Sequence, residues 1–219
     1  MGKPDLKIDW ATHEAAKFAC ENWHYSRCLP AGKLVKIGAW EDGNFIGAVL
    51  FGRGASPSLG AKFDLSQDEC VELVRVAMRR HKTEISRIVA IALRFLKKTN
   101  SGLRLVVSFA DPDKGHAGGI YQAGNWIYCG KSPETKELFI DGRWVHWRGG
   151  FYSKTENTPQ RLMPGKHRYL MPLDAATKAK MVALARPYPK RAGSDTKDTA
   201  GFQPAKGGST PTPALQSEG

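Results

Sequence analysis

Hydrophobic residues recur along the chain with two different spacings, and each spacing predicts a different element. Apolar runs and alternations at residues 34–40, 45–51, 70–78 and 103–110 predict β-strands. The first two strands flank Asp42-Gly43, a pair of residues typical of a tight hairpin turn. Apolar positions three and four residues apart predict helices over residues 12–22 and 85–98.

The second half of the chain is predicted to hold shorter elements. They are a helix or turn at 116–124, a strand at 126–129, a hairpin of 136–140 with 143–147, and a helix at 174–185. Most neighbouring strands are therefore antiparallel, with one strand–helix–strand crossover between residues 70 and 110. This order predicts a mixed α/β fold with a mostly antiparallel central sheet flanked by helices.

The chain is strongly basic. Among its 219 residues, 33 Lys and Arg stand against 21 Asp and Glu, which gives a net charge of +12. Residues 186–219 are rich in Pro, Gly, Ser, Thr and Lys and are predicted to form a disordered tail. That tail carries a net charge of +2, so the predicted folded domain, residues 1–185, keeps +10. A polyanion such as nucleic acid is the partner that this charge predicts.

Several classes of protein are disfavoured by the composition. No apolar run approaches the roughly 18 residues of a membrane span. The first residues lack the apolar segment of a signal peptide. The four cysteines show no C-x-x-C spacing, so neither a zinc ribbon nor a disulfide framework is predicted. We therefore expect a protein of the reducing cytoplasm.

A first candidate site is the strand–turn–helix at residues 70–98. Glu72 and Arg75 on the strand are expected to face a polar site. The turn that follows is rich in Arg, Lys and His, and backbone N–H groups at a helix N-terminus bind phosphate. A solvated basic helix face is equally compatible with this composition.

His24, Tyr25, Asp111 and Tyr121 form a second candidate site. The first two lie in a loop after the first helix, and Asp111 follows an apolar strand, at the edge where α/β sheets bind ligands. A His or Tyr there can transfer a proton, and His24 with Asp111 can instead hold iron or another divalent metal. Each residue also has a plainer interpretation, as a packed histidine, a turn-capping aspartate or a core tyrosine.

A third candidate is the mixture of aromatic and basic residues at 143–154. Cations grip phosphate and aromatic rings stack on bases, so this mixture is typical of a nucleic-acid surface. The predicted nucleic-acid contacts are Lys33, Arg53, Arg143, Trp147 and Arg148. The alternative is a half-buried hairpin with its arginines on the solvent side.

Several ordered motifs resemble those of the phage Mom family, between about residue 18 and residue 170. They are Trp23-His24-Tyr25-Ser26, the turn Pro30-x-Gly32-Lys33, the strand at 45–52, Glu72-Leu73-x-Arg75-Val76, and the stretch from Ser108-Phe109-Ala110-Asp111 to Gly119-x-Tyr121-Gln122-Ala123. The resemblance implies a GNAT-like fold and a phage enzyme in the host cytoplasm. That enzyme converts the N6 group of adenine in double-stranded DNA to a carbamoylmethyl derivative, which protects the DNA from host restriction enzymes. Acetyl-CoA, or a related acyl donor, and iron are the implied ligands.

The same resemblance implies roles for individual residues. His24, Tyr25, Asp111 and Tyr121 would be catalytic, with His24 and Asp111 as metal ligands. The implied cofactor-binding residues are Val74, Val76, Ala77, Arg79, Arg80, Ser86 and Arg87. The turn at residues 79–86 departs from GNAT enzymes, which usually have a glycine-bearing pyrophosphate loop at this point.

Two other functions stay open at this stage. One is an ordinary GNAT-like acyl-CoA N-acyltransferase that acts on an amine or a protein. The other is a non-catalytic basic DNA-binding protein. Carbamoylmethyl is joined to N6 through a methylene rather than a carbonyl carbon, so ordinary acyl transfer does not give the product that the resemblance implies.

Overall fold

The computed structural model describes residues 2–54, 58–150 and 156–190. Its strands are β1 (Leu6–Trp10), β2 (Leu34–Glu41), β3 (Asn44–Gly52), β4 (Cys70–Met78), β5 (Leu105–Ala110), β6 (Ile127–Lys131), β7 (Thr135–Ile140), β8 (Arg143–His146), β9 (Gln160–Met163) and β10 (His167–Pro172). Seven strands form the main sheet in the order β1-β2-β3-β4-β5-β10-β6, and β8-β7-β9 form a small second sheet. In the main sheet every neighbouring pair is antiparallel except β4 with β5.

Helices cover both faces of the main sheet, and one short helix, Trp147–Gly150, lies against the small second sheet. They are α1 (His13–Trp23), α2 (Ile85–Thr99), α3 (Gly119–Ala123), α4 (Trp147–Gly150) and α5 (Ala175–Val182), with short 3-10 turns at Ala61–Phe63 and Pro112–Lys114. Thr12 caps α1 by accepting the Ala15 N–H at 3.1 Å, and Asp174 caps α5 by accepting the Thr177 N–H at 2.8 Å. None of the helices in the described ranges is long and apolar enough to span a membrane.

The main sheet separates two apolar layers, and β3 shows why. Consecutive side chains of a strand point to opposite faces. Val49 and Phe51 therefore belong to the cluster that includes the apolar side of α2, whereas Ala48 and Leu50 pack with the alanines of α1. All four are buried. A sheet covered on both faces accounts for strands that are almost continuously apolar.

The predicted fold class is confirmed, because the central sheet is mixed, mostly antiparallel and flanked by helices. The strands predicted at 34–40, 45–51, 70–78 and 103–110 and the helices predicted at 12–22 and 85–98 form within a few residues of those bounds. The prediction did not include β1, β9 or β10. Residues 151–155 of the predicted aromatic–basic segment, and residues 191–219 of the predicted tail, lie outside the described residues.

Two parallel strands diverge part-way along their length, and this divergence positions the site. The pairing of β4 with β5 runs from Cys70 opposite Leu105 to Leu73 opposite Ser108, and it ends there. β4 continues to Met78, and its other edge stays paired with β3. The carboxyl halves of β4 and β5 therefore leave a gap in the sheet.

Residues 186–190, which the sequence analysis assigns to the tail, lie against the main sheet. The N–H of Arg186 donates to the Tyr128 carbonyl at 2.8 Å. The hydroxyl of Tyr188 donates to the Trp126 carbonyl at 2.8 Å. Ordered packing therefore continues past residue 185, at least as far as Tyr188.

Candidate active site

A cavity of about 360 Å³ lies in the gap between β4 and β5. Its wall combines the loop after α1, the middle of β4, the residues that follow β5 and the start of α3. All four predicted catalytic residues, His24, Tyr25, Asp111 and Tyr121, line this cavity. Residues that are far apart in sequence are thus brought to one site, as the sequence analysis predicts.

His24 follows α1 directly, and only 7% of the residue is exposed. The N–H of Ser26 donates to its Nδ1 at 3.1 Å, and the Ser26 hydroxyl lies 2.8 Å from the same atom. Because a backbone N–H can only donate, Nδ1 presents its lone pair, and the proton of the neutral ring lies on Nε2. Burial lowers the pKa of His24 to about 3, with smaller contributions from Arg75 and His116. At neutral pH His24 is therefore an uncharged hydrogen-bond donor.

Tyr25 lies between two histidine rings on the cavity wall. Its ring centroid is 4.2 Å from that of His24 and 5.2 Å from that of His116, with interplanar angles of 34° and 41°. Tyr25 is 41% exposed, so this row of rings reaches from the buried site to the surface. The row forms an aromatic wall against which a planar ligand can pack.

Asp111 directly follows β5, and its carboxylate contacts two residues in the described part of the chain. Its Oδ1 accepts the N–H of Asp113 at 3.1 Å, so the turn-capping interpretation holds. Its Oδ2 lies 3.1 Å from Nζ of Lys166, which also lines the cavity. The side chain is 16% exposed. The carboxylate thus joins the end of β5 to the segment that leads into β10.

Tyr121 is part of the core as well as of the cavity wall. It is 8% exposed, and its hydroxyl lies 2.7 Å from Oγ of Ser108. Ser108 in turn donates to the Leu73 carbonyl at 2.8 Å, so the tyrosine donates to Ser108. Burial raises the pKa of Tyr121 to about 12. This pair of bonds ties α3 to β5 and β4 at the last paired position before the two strands diverge.

Arg75 supplies a cation to the cavity wall. Its Nη1 donates to the Val74 carbonyl at 2.9 Å, whereas its Nε is buried with no hydrogen-bond partner in the described part of the chain. An unsatisfied buried donor costs about 1–3 kcal/mol, so the site favours a ligand that supplies an acceptor. Glu72 also lines the cavity. β4 therefore presents both of the predicted polar side chains.

The predicted iron site at His24 and Asp111 does not fit the geometry. Within residues 2–54, 58–150 and 156–190, no group of three or more His, Cys, Asp or Glu can hold a metal ion. The lone pair of His24 Nδ1 is taken up by Ser26, and Asp111 is paired with Lys166. The described residues give no basis for a metal centre there.

Only part of the predicted cofactor set reaches the cavity. Val74 and Val76 line it, together with Ile85 at the start of α2. Ala77 packs among the residues beneath α1. The remaining four, Arg79, Arg80, Ser86 and Arg87, are not among the lining residues.

The turn predicted to bind pyrophosphate already holds a carboxylate of the chain itself. The N–H of Lys82 donates to Oε2 of Glu41 at 2.8 Å. The N–H and hydroxyl of Thr83 donate to Oε1 at 2.8 and 2.6 Å. Burial alone would raise the pKa of Glu41, but the bonds from Thr83 and Lys82 bring it below its ordinary value. Two amides of the turn are therefore unavailable to a phosphate group.

The predicted nucleic-acid contacts fall into two groups. Lys33 and Arg53 line a second cavity, of about 500 Å³, near the beginning of β4. Nη2 of Arg53 lies 3.4 Å from Oδ1 of Asp68. Arg143 is on β8, and Trp147, 39% exposed, begins α4. The side chain of Arg148 lies outside the described residues.

The fold and the cavity define a mixed α/β protein with a ligand-sized cavity between two parallel strands of its main sheet. Solved structures with a similar layout include a putative acetyltransferase from Acinetobacter baylyi, with 15% identity, 80% of this chain and 96% of that chain covered, and a TM-score of 0.44. Another is spermidine N-acetyltransferase from Vibrio cholerae in complex with CoA and spermine, with 10% identity, coverage of 76% and 95%, and a TM-score of 0.43. Since both TM-scores are below 0.5, the fold class rests on the strand order instead.

The family is given by the sequence. A family model described as the Mom protein family matches residues 5–190, and the chain belongs to that family. A relative, the methylcarbamoylase Mom of Escherichia phage Mu, is 27% identical over 149 residues. The alignment covers 66% of this chain and 61% of the relative, so the chain spans less than two thirds of that protein.

Proposed function

We propose that this protein is a phage DNA-modifying transferase that adds a carbamoylmethyl group to N6 of adenine in double-stranded DNA. The observation that carries the proposal is the family match over residues 5–190, in which the His-Tyr pair, Asp111 and Tyr121 line one cavity. The relative from phage Mu is called a methylcarbamoylase, which supports the same chemistry. The net charge of +12 suits a polyanionic substrate, and such a reaction would take place in the host cytoplasm, where phage DNA is exposed to restriction.

The size of the cavity determines how DNA must present its base. A space of about 360 Å³ takes a single base and not a duplex. The adenine must therefore leave the base stack before its N6 group can react, as in other enzymes that modify a base. The row formed by His24, Tyr25 and His116 offers an aromatic wall for the extruded ring.

Three polar residues have separate roles in this proposal. Asp111, held by Lys166, is the group that we assign to accept a proton from the adenine N6 group. Arg75 offers its unpartnered Nε–H to an oxygen of the incoming group. The Nε2–H of His24 donates a hydrogen bond within the cavity, and neither base catalysis nor metal binding is assigned to it.

Acetyl-CoA or a related acyl donor fits the cleft in part. When bound, such a thioester would supply an activated acyl carbon, and the methylene link to N6 needs a chemical step other than direct acyl transfer. The edge of β4 at Val74 and Val76 is not paired with β5. The extended chain of an acyl-CoA can hydrogen-bond to this edge as an added strand would. Ile85 and Ser86 open α2 with N–H groups that have no intrahelical partner, and Arg87 follows, so a diphosphate is assigned there and not to the amides that Glu41 holds. No step is assigned to a metal.

The proposal is tested on cellular DNA. The full chain is expressed in bacteria, their DNA is digested to nucleosides, and the deoxyadenosine fraction is analysed by mass spectrometry. We expect a new nucleoside with the mass of carbamoylmethyl-deoxyadenosine. Unmodified deoxyadenosine from cells that contain folded protein would contradict the proposal. If acetylated amines or proteins accumulate instead, the ordinary acyltransferase is the better account.

A further inference from the structure

The small sheet β8-β7-β9 lies in a segment that begins and ends at the rim of the cavity. It belongs to residues 132–166, which connect β6 to β10, two neighbouring strands of the main sheet. We call this segment the arm. Its two ends are hydrogen-bonded to each other. The N–H of Ser132 donates to the Lys166 carbonyl at 2.8 Å, and the N–H of Lys166 donates to the Ser132 hydroxyl at 2.9 Å. Both residues line the cavity, and Lys166 is paired with Asp111.

One face of the arm is aromatic and exposed. Phe139 lies opposite Trp144 in the register of β7 with β8, and Glu137 lies opposite Arg161 in the register of β7 with β9. Side chains at paired positions share a face of the sheet, so these four residues lie together. We call them the open face. Phe139 is 41% exposed and Trp144 37%, whereas Leu138, on the opposite face, is 2% exposed.

The open face is already organised. The rings of Phe139 and Trp144 have their centroids 5.2 Å apart. The guanidinium carbon of Arg161 lies 4.5 Å from the centroid of the Trp144 ring. Nε and Nη2 of Arg161 both donate to Oε2 of Glu137, at 2.9 and 2.6 Å. Exposed aromatic rings that are held in place in this way offer a surface on which a base can stack.

We infer that the open face stacks on a base that loses its partner when the adenine enters the cavity. This inference rests on the proposed function. Extruding an adenine leaves an unpaired base and a gap in the duplex, next to the protein at the rim of the cavity. The arm begins and ends at that rim, and its exposed aromatic pair suits the unpaired base. The exposed aromatic pair is not part of the core of the arm, where Leu138 is buried on the opposite face.

The inference is tested by measuring DNA affinity of the full chain. The probes are a duplex with one abasic site, which leaves the opposite base unpaired, and the same duplex fully paired. Trp144→Leu keeps an apolar side chain but removes the ring, and Trp144→Phe keeps a ring. We expect Trp144→Leu to lose about tenfold or more in affinity for the abasic duplex, and Trp144→Phe to stay within a few-fold of the wild type. Leu162→Ala is the matched control, because Leu162 is 58% exposed on the opposite face of the same sheet.

Two results would overturn the inference. One is a Trp144→Leu protein with wild-type affinity for the abasic duplex. The other is that the wild type is a dimer and Trp144→Leu is a monomer with unchanged affinity for DNA. The open face would then join two copies of the chain. Adenine modification in cells is measured for the same variants. If the wild type modifies DNA and Trp144→Leu does so equally well, the inference fails and the proposed function stands. If the wild type neither binds nor modifies DNA, the proposed function has failed.

Discussion

Ser26 donates its backbone N–H to Nδ1 of His24 at 3.1 Å, and this bond sets the tautomer of the histidine. A ring whose Nδ1 accepts must carry its remaining proton on Nε2. We therefore expect the ¹⁵N chemical shifts of His24 to report a neutral Nε2–H form at pH 7. A Nδ1–H form, or a positively charged ring at that pH, would contradict the assignment.

Two substitutions of His24 distinguish a role as a hydrogen-bond donor from a role as a general base. The amide of His24→Gln reaches about as far as Nε2 and can still donate, whereas His24→Asn places its amide near the position of Nδ1. We expect His24→Gln to keep at least tenfold more adenine modification than His24→Asn, measured as modified deoxyadenosine per cell culture. Equal, complete loss in both variants would favour a general base instead.

The pH dependence of stability follows from the same residue. The pKa of His24 is about 3 in the folded protein and about 6.5 when the chain is unfolded, so the unfolded state binds the extra proton first. Stability is therefore lost as the pH falls from about 6.5 towards 3, by about 1.4 kcal/mol per pH unit from this group. Urea denaturation of wild type and His24→Asn across this range should show that difference in slope. Parallel curves would mean that His24 is not buried in its neutral form.

Arg75 is expected to act on both the ligand and His24. Its positive charge lowers the pKa of His24, so Arg75→Met should raise that pKa, measured by NMR titration. The same variant should lose adenine modification by at least a hundredfold, because removing a charged hydrogen bond in a buried site costs about 3 kcal/mol. Arg94→Met removes an equal charge from an exposed position on α2 and is the control. An unchanged pKa of His24 in Arg75→Met would show that the guanidinium does not lie close enough to act on the histidine.

Glu41 is expected to stabilise the fold by organising the turn before α2. Glu41→Gln replaces one of the two carboxylate oxygens with an NH2 group, so either the Lys82 amide or the amide and hydroxyl of Thr83 lose their acceptor. The free energy of unfolding should fall by about 1–3 kcal/mol in this variant. Acetyl-CoA affinity should be unchanged, since these amides are not assigned to its diphosphate. A tenfold gain in acetyl-CoA affinity would show that Glu41 competes with the cofactor.

The sequence was informative where one element alone decides the outcome. Apolar runs located β2, β3, β4, β5, α1 and α2, because each of these elements buries its own pattern of residues. β1 was missed although Leu6, Ile8 and Trp10 alternate, since five residues at an edge carry a weak signal. β10 was missed because its place in the sheet depends on pairing with β5 and β6, which are distant in sequence.

The same distinction holds for the site. The motif residues His24, Tyr25, Asp111 and Tyr121 were all placed on one cavity as predicted. The partners that define their chemistry were not predicted, because the Lys166–Asp111 pair and the contact of His116 with Tyr25 depend on how distant loops meet. The contact of Glu41 with the turn before α2 was not predicted either. The local sign of it was that this turn lacks the glycines of a pyrophosphate loop.

The cavity formed by His24, Arg75 and Asp111 is proposed to modify adenine in DNA. Mass spectrometry of nucleosides tests this in bacteria that express the wild type, Arg75→Met or the control Arg94→Met at equal levels. We expect carbamoylmethyl-deoxyadenosine with the wild type and with Arg94→Met, and at most about one hundredth as much with Arg75→Met. Equal modification by all three proteins, or none by the folded wild type, would contradict it.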